Sequence, residues 1–177
     1  MIEWKEREHE AEELVDLHDH SSLLALKNCG LLEFFKTHSM RRHARLLEYL
    51  VGKWDPEIWA FQIGFHTLEI ELEELYFITS LSKRGAPIIM SGHWNVEETT
   101  SDYISTYYVV GMSKSSINIP IKAVTNMPLR TILFTITRAF GGTGSHSATK
   151  SQMTYAIECT ELRVFKWCQG LLTKLCD

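Results

Sequence analysis

Residues 46–81, LLEYLVGKWDPEIWAFQIGFHTLEIELEELYFITSL, change their hydrophobic period twice, from helical spacing to alternation and back. Apolar residues from Met40 to Val51 recur at intervals of three and four, which predicts an amphipathic helix that ends at Gly52. From Trp59 to Ile70 apolar and polar residues alternate on both sides of a glycine, which predicts a short hairpin. Helical spacing returns from Glu71 to Ser80. The order is therefore helix, hairpin, helix.

The second of these helices carries its apolar side chains on one stripe. Leu72, Leu75, Tyr76 and Ile78 are expected to point inward. The glutamates near its start favour the positive end of the helix dipole.

The rest of the chain has more helical than extended character. Ile117–Val124 is expected to be extended, and 141–147 is expected to be a loop. Ser21 and Ser22 are expected to cap the first helix, and Gly30 to end it in the left-handed conformation. The segments with helical spacing are Leu23–Cys29, Leu31–Lys36, Val96–Val110, Met127–Phe140, Ala148–Cys159 and Arg163–Leu175. We predict a mainly α (α+β) fold, a helical array with a small β-hairpin or short antiparallel sheet.

Composition indicates one domain inside the cell. The 177 residues, 45% of them apolar, suffice for one core, which we place at 21–177 after a charged lead-in at 1–20. Apolar runs are too short to cross a membrane, and the charged start is unlike a secretory signal. The four cysteines are expected to be reduced thiols. A net charge of -4 disfavours bulk attraction to nucleic acid.

The loop from Gly141 to Ser151 is similar to a phosphate-binding loop, since glycines precede a Lys-Ser pair. A P-loop needs glycine directly before the lysine and a strand in front, whereas Thr149 and a predicted helix occupy those places. Gly144, Lys150 and Ser151 are therefore weak candidates for nucleotide binding. No cofactor is expected.

Other chemical sites lack a recognisable pattern. The cysteine spacings and the scattered histidines do not match a zinc motif, so no metal is predicted. Ser91, His93 and Asp102 do not lie in a recognisable catalytic motif. The best candidates for contact with a polyanion are five basic residues, for which a solvated helix face is the simpler interpretation: Arg41, Arg42, Arg45, Lys83 and Arg84.

The motifs in and just after residues 46–81 resemble the plant mobile domain, a family historically labelled aminotransferase-like. The likeness runs over Leu46–Glu57, Phe61, Thr67–Leu81 and Gly85–Pro87. Its pattern is a helix end of the form LV-x-x-W-x-PE, a hairpin with an aromatic residue, a T-L-x-x-x-LED helix and an exit of the form G-L-x-x-x-G-x-P. Weaker likeness continues through later segments: 129–134, 151–157 and 163–168.

Two departures accompany the likeness. Ser80 stands where the family usually has glycine after the helix, and family domains commonly run on beyond Asp177. A truncated or degenerate copy is the expectation from these departures.

The resemblance implies a nuclear protein linked to transposable elements, their silencing and genome stability. It supplies no catalytic residues, and no lysine has the setting of a pyridoxal site, so no aminotransferase activity is expected. The matching residues are expected to be structural: Trp54, Pro56, Phe61, Leu68, Leu72 and Leu75.

Three hypotheses about function follow. The first is a non-enzymatic interaction domain in the nucleus, or alternatively the cytoplasm, with nuclear proteins as partners and weak or indirect nucleic-acid contact. The second is a nucleotide-binding or hydrolytic domain that uses the Gly141–Ser151 loop. The third is a non-functional transposon-derived relic, for which an exposed apolar flank and poor solubility are the expected signs.

Overall fold

A computed structural model of the chain describes residues 19–36, 44–88, 118–140 and 147–176. Within these ranges helices predominate and the strands are short, so the predicted mainly α (α+β) class is confirmed. The helices are α1 (His20–Asn28), α2 (Leu32–Lys36), α3 (Ala44–Val51), α4 (Leu72–Thr79), α5 (Met127–Phe140), α6 (Lys150–Thr160) and α7 (Trp167–Cys176), with a 3-10 turn at Ile121–Ala123. The strands are β1 (Trp54–Asp55), β2 (Ala60–Ile63), β3 (His66–Glu69), β4 (Asn118–Pro120) and β5 (Ser147–Thr149).

Helix α5 is the centre of the core and has the predicted bounds. It packs against α1 and α6, and its apolar stripe is buried together with three threonines. Each threonine hydroxyl donates to a carbonyl one turn earlier, as Thr135 Oγ1 does to Thr131 O at 2.8 Å. Because these bonds satisfy the hydroxyls locally, threonine can line a dry interface here.

Helix α7 is fixed to two other elements by buried side chains. Trp167 Nε1 donates to the carbonyl oxygen of Cys29 at 2.7 Å, which joins α7 to the end of α1. Cys168 Sγ donates to the carbonyl oxygen of Leu81 at 2.8 Å, just beyond α4. Phe165 and Phe140 pack against the Trp167 ring, so the start of α7 lies at the middle of the aromatic core.

The two sheets are antiparallel, and the larger one is the predicted hairpin extended by β1. Its strand order is β1-β2-β3, with Trp54 opposite Phe61 and Phe61 opposite Leu68. Strand β4 pairs with β5, which brings Ile119 against Ala148 in the core. The hairpin itself is mostly solvent-exposed, since every residue of β3 is exposed.

The segment after α4 is held by a parallel bridge between Ala86 and Phe165. Ala86 N donates to Val164 O at 2.9 Å, and Lys166 N donates to Ala86 O at 2.8 Å. Gly85 has φ 123° in this crossing, where a Cβ atom would lie 2.3 Å from Val164 O. The bridge therefore requires glycine at position 85.

Several predicted boundaries need correction. Asp19, rather than Ser21 or Ser22, caps α1, because its carboxylate accepts from both serine N–H groups. Helix α6 begins at Lys150 and not at Ala148, since Ser147–Thr149 pairs with β4. Helix α7 begins at Trp167 and not at Arg163, since the bridge to Ala86 keeps the preceding residues extended. Gly30 does adopt the predicted left-handed conformation, with φ 77°.

The predicted inward face of α4 is only half right. Leu75 is buried and Leu72 is partly buried, but Tyr76 is exposed and Ile78 is 63% exposed. The predicted helix 96–110, most of the lead-in 1–20 and the loop at 141–146 lie outside the described residues. No helix in the described ranges combines the length and apolar character of a membrane span.

Candidate functional site

The turn between β1 and β2 presents two tryptophans, one before it and one at its end. Asp55 Oδ1 accepts the N–H of Glu57 at 3.0 Å, which stabilises the start of the turn. Trp59 closes the turn in the left-handed region at φ 55°, a conformation that bulky side chains rarely adopt. Its side chain is 54% exposed, so much of the indole remains open to solvent.

A cavity of about 230 Å³ lies between this turn and α7. Trp54, Ile58 and Trp59 line it from the turn, and Glu69 and Ile70 line it from the end of β3. Its opposite wall belongs to α7 and consists of Gln169, Leu172 and Thr173. The hairpin, which contributes little to the core, thus forms a small recess with a core helix.

The cavity has one charged lining residue, Glu69. Its carboxylate is exposed and has neither a hydrogen bond nor an ion pair with any residue that the structure describes. Neighbouring carboxylates differ: Glu74 Oε2 accepts the N–H of Glu71 at 3.1 Å, and Glu73 pairs with Lys83 at 3.1 Å. The hydrogen bond from Lys83 and its positive charge hold the pKa of Glu73 below its usual range. Within the described part of the chain, nothing competes with a ligand for Glu69.

The chemistry of this recess suits a small cation. Indole faces carry negative electrostatic potential and attract cations, and tryptophan is the strongest of the aromatic side chains in this respect. Glu69 adds a full negative charge at the same recess. The volume is below the roughly 300–1,000 Å³ typical of sites for drug-sized ligands, so one side chain suits it better than a nucleotide.

The structural residues predicted from the resemblance are dispersed over this region. Trp54 and Phe61 form an edge-on aromatic contact, with ring centroids 4.9 Å apart. Leu68 pairs with Phe61 across the strands but is 52% exposed, and Pro56 lies in the exposed turn. Leu72 and Leu75 belong to the main core and its margin. Of this predicted set, Trp54 lines the cavity.

The candidates for nucleotide binding are only partly described. Gly144 lies outside the described residues, whereas Lys150 and Ser151 open helix α6. Thr149 caps this helix through its hydroxyl, which accepts from Gln152 N at 3.2 Å. The segment before the loop is helix α5 and not a strand, so the context of a P-loop is missing there.

The candidates for polyanion contact have different surroundings. Arg41 and Arg42 lie outside the described residues, and Arg45 is exposed on α3. Lys83 pairs with Glu73 and lies over the ring of Tyr76, 5.3 Å from its centroid. Arg84 is exposed. Because its charge is already paired, Lys83 is less available to an anion than Arg84.

Cys29, Cys159 and Cys168 are buried free thiols. Burial raises the pKa of Cys168, whose Sγ donates to a backbone carbonyl. A hydrogen bond with Cys29, together with burial, raises the pKa of Cys159. Among the described residues no three histidine, cysteine or acidic side chains form a metal-binding group. Ser91, His93 and Asp102 lie outside the described part of the chain.

Sequence reasoning missed most of the cavity. The sequence pattern places Trp59 in the hairpin and indicates no site at Glu69 or Gln169. A detectable signal was the pair of tryptophans five positions apart around Asp55-Pro56, a dipeptide that favours a turn. The contribution of α7 had no comparable signal, since it lies about a hundred residues away.

Comparisons with known proteins gave no relatives. No family model matches the chain, and no curated protein or solved structure matches it at a significant level.

Proposed function

We propose that this chain is a non-enzymatic interaction domain of the nucleus, which binds protein partners involved in the silencing of transposable elements. The observation that carries the interaction role is the location of its exposed apolar side chains. Ten of the thirteen large apolar residues that are exposed in the described ranges lie between Leu46 and Ile78. Singly exposed apolar residues are ordinary, but their concentration in one segment favours a contact surface.

Two of the exposed apolar residues in this segment are phenylalanines. Phe65 at the tip of the hairpin is fully exposed, and Phe77 on α4 is 79% exposed. Aromatic side chains supply much of the binding energy at protein interfaces. Other aromatic residues already fill the core: Phe140, Phe165 and Trp167 are buried. The core therefore does not depend on Phe65 or Phe77.

The nuclear and transposon-related part of the proposal rests on the resemblance to the plant mobile domain. That resemblance is most specific over Leu46–Pro87, which is the segment that carries the exposed apolar residues. The likeness and the surface thus concern the same part of the molecule.

Affinity purification from plant nuclei tests the proposal. The tagged chain is compared with a Phe77→Lys/Ile78→Lys variant, which adds charge to α4 at two exposed positions. Leu24→Lys is the matched control, since Leu24 is exposed on α1, outside this segment. We expect a set of nuclear proteins that the wild type and the control retain and the double variant loses.

Exclusion of a fluorescent fusion from nuclei would contradict the nuclear role. Equal recovery of all partners by the double variant would contradict the surface assignment. The relic hypothesis predicts the same exposed flank but expects aggregation, so a monomeric, soluble wild type that recovers specific partners separates the two.

A further inference from the structure

We propose that the cavity formed by Trp54, Trp59, Glu69 and α7 is an aromatic cage for a methylated lysine side chain of a protein partner. This inference rests on the proposed interaction function and names the partner's chemistry. It depends on three independent features of the site: the kind of lining residues, the size of the recess and the strain at Trp59.

The lining residues match an alkylammonium ion. A methylated ammonium group has lost hydrogen-bond donors and is recognised mainly by aromatic faces, through cation–π attraction and dispersion. Two tryptophans line the recess, and Glu69 supplies the counter-charge. Ile58, Ile70 and Leu172 complete it with apolar surface suited to the methylene stem of lysine.

The size of the recess selects a side chain. Its volume is about 230 Å³, and two of its lining residues, Trp59 and Glu69, are exposed to solvent. A recess of this size suits a single long side chain, while the rest of the partner stays outside.

Strain at Trp59 indicates that the indole has a role at this place. For a residue other than glycine, the left-handed conformation costs roughly 1–2 kcal/mol. The turn ends in this conformation, with φ 55°, and glycine would adopt it without strain. The indole is half-exposed there, and strained residues of this kind cluster at binding sites.

The surroundings favour a peptide over a lipid headgroup. Strand β3 leads directly to Glu69, and within the described residues no strand pairs with its outer edge. An extended peptide can add to such an edge through backbone hydrogen bonds. Exposed Glu69, Glu71 and Glu74 favour a peptide with basic residues and disfavour the anionic surface of a membrane.

Binding of synthetic peptides to the purified full chain tests the proposal. The probes are short peptides with one central lysine between two arginines, the lysine carrying no methyl group or one, two or three. We expect the trimethylated peptide to bind at least about tenfold more tightly than the unmodified peptide, by calorimetry and by tryptophan fluorescence. A further peptide replaces trimethylammonium by a neutral tert-butyl group of the same shape, and we expect it to bind weakly.

Three variants locate the binding. Trp59→Gly is expected to lose methyl-dependent binding while it stays folded, because relief of the strained backbone offsets part of the lost indole packing. Glu69→Gln is expected to weaken binding of the charged peptide. Phe65→Ala is the matched control, since this exposed hairpin aromatic does not line the cavity, and it should bind like the wild type.

Equal binding of the methylated, unmodified and tert-butyl peptides would overturn the proposal, as would full binding by a folded Trp59→Gly variant. Trp59-dependent binding to phosphatidylcholine vesicles without binding to the peptide would overturn the choice of a peptide. If nuclear partners are recovered through α4 while no peptide binds, the cage fails and the interaction function stands. If the peptide binds but no nuclear partner is recovered, the interaction function fails in its nuclear part alone.

Discussion

Replacement of Trp167 by phenylalanine tests the packing that fixes α7, and with it one wall of the cavity. The indole is fully buried, and its Nε1–H donates to the carbonyl oxygen of Cys29 at 2.7 Å. Phenylalanine has no donor, so it leaves that buried carbonyl without this partner at a cost of about 1–3 kcal/mol. It also leaves a small void, which adds about 1 kcal/mol.

The expected loss in the free energy of unfolding is therefore about 2–4 kcal/mol. For a domain of this size it lowers the Tm by about 4–16 °C. Urea denaturation followed by circular dichroism measures the loss, with a lower midpoint and an unchanged m-value as the signature. The matched control is Trp59→Phe, which makes the same replacement at a half-exposed site and is expected to stay within about 0.5 kcal/mol.

A loss below about 0.5 kcal/mol for Trp167→Phe would refute the packing described here, since it lies within the range of ordinary surface substitutions. A larger loss for Trp59→Phe than for Trp167→Phe would refute it as well. In that case the hairpin, and not the junction of α1 with α7, would contribute more to stability.

Three further predictions concern backbone strain and helix capping. Ser80→Gly should raise the free energy of unfolding by about 0.5–1 kcal/mol, because Ser80 ends α4 at φ 57° where glycine is less strained, and a raised urea midpoint checks it. Gly85→Ala should lower that free energy by at least about 2 kcal/mol in the same assay, since the new Cβ would lie 2.3 Å from Val164 O. Hydrogen bonds from the side chains of Ser22 and Ser21 lower the pKa of Asp19 from 3.8, so its contribution is present above that pH and is lost as the pH falls below it. Asp19→Asn keeps an oxygen acceptor and should make the Tm depend less on pH below about 4.

The helical core was largely predictable because local signals and burial agree there. Helix α5 has a clear apolar period, a preceding Asn126 whose Oδ1 accepts Leu129 N at 3.0 Å, and a glycine after Phe140. The predicted bounds are therefore those of the structure. The local pattern predicted the start of α6 wrongly, because Ser147–Thr149 pairs with the distant strand β4 instead of forming the first helical turn. Such pairing is long-range and leaves no trace in a window of ten residues.

The face of α4 shows a different limit of sequence reasoning. Periodicity predicted which residues share a stripe, but burial depends on what packs against the stripe. Leu75 contacts the core near α7, whereas Phe77 and Ile78 point to solvent in the described structure. The departure at Ser80 has a clearer physical account: the position requires the left-handed conformation, which explains why a glycine is expected there.

At the candidate site, local preference and observed structure disagree at several neighbouring positions. A left-handed residue at the end of a turn, an exposed tryptophan and a carboxylate with no partner among the described residues are each unfavourable or neutral for folding. Glycine at position 59 would adopt the left-handed conformation without strain. When several such features border one recess, a common cause is more economical than three separate ones, and ligand binding is a cause that acts on all of them. A Trp59→Gly variant that stays folded but loses peptide binding would indicate that ligand binding is that common cause.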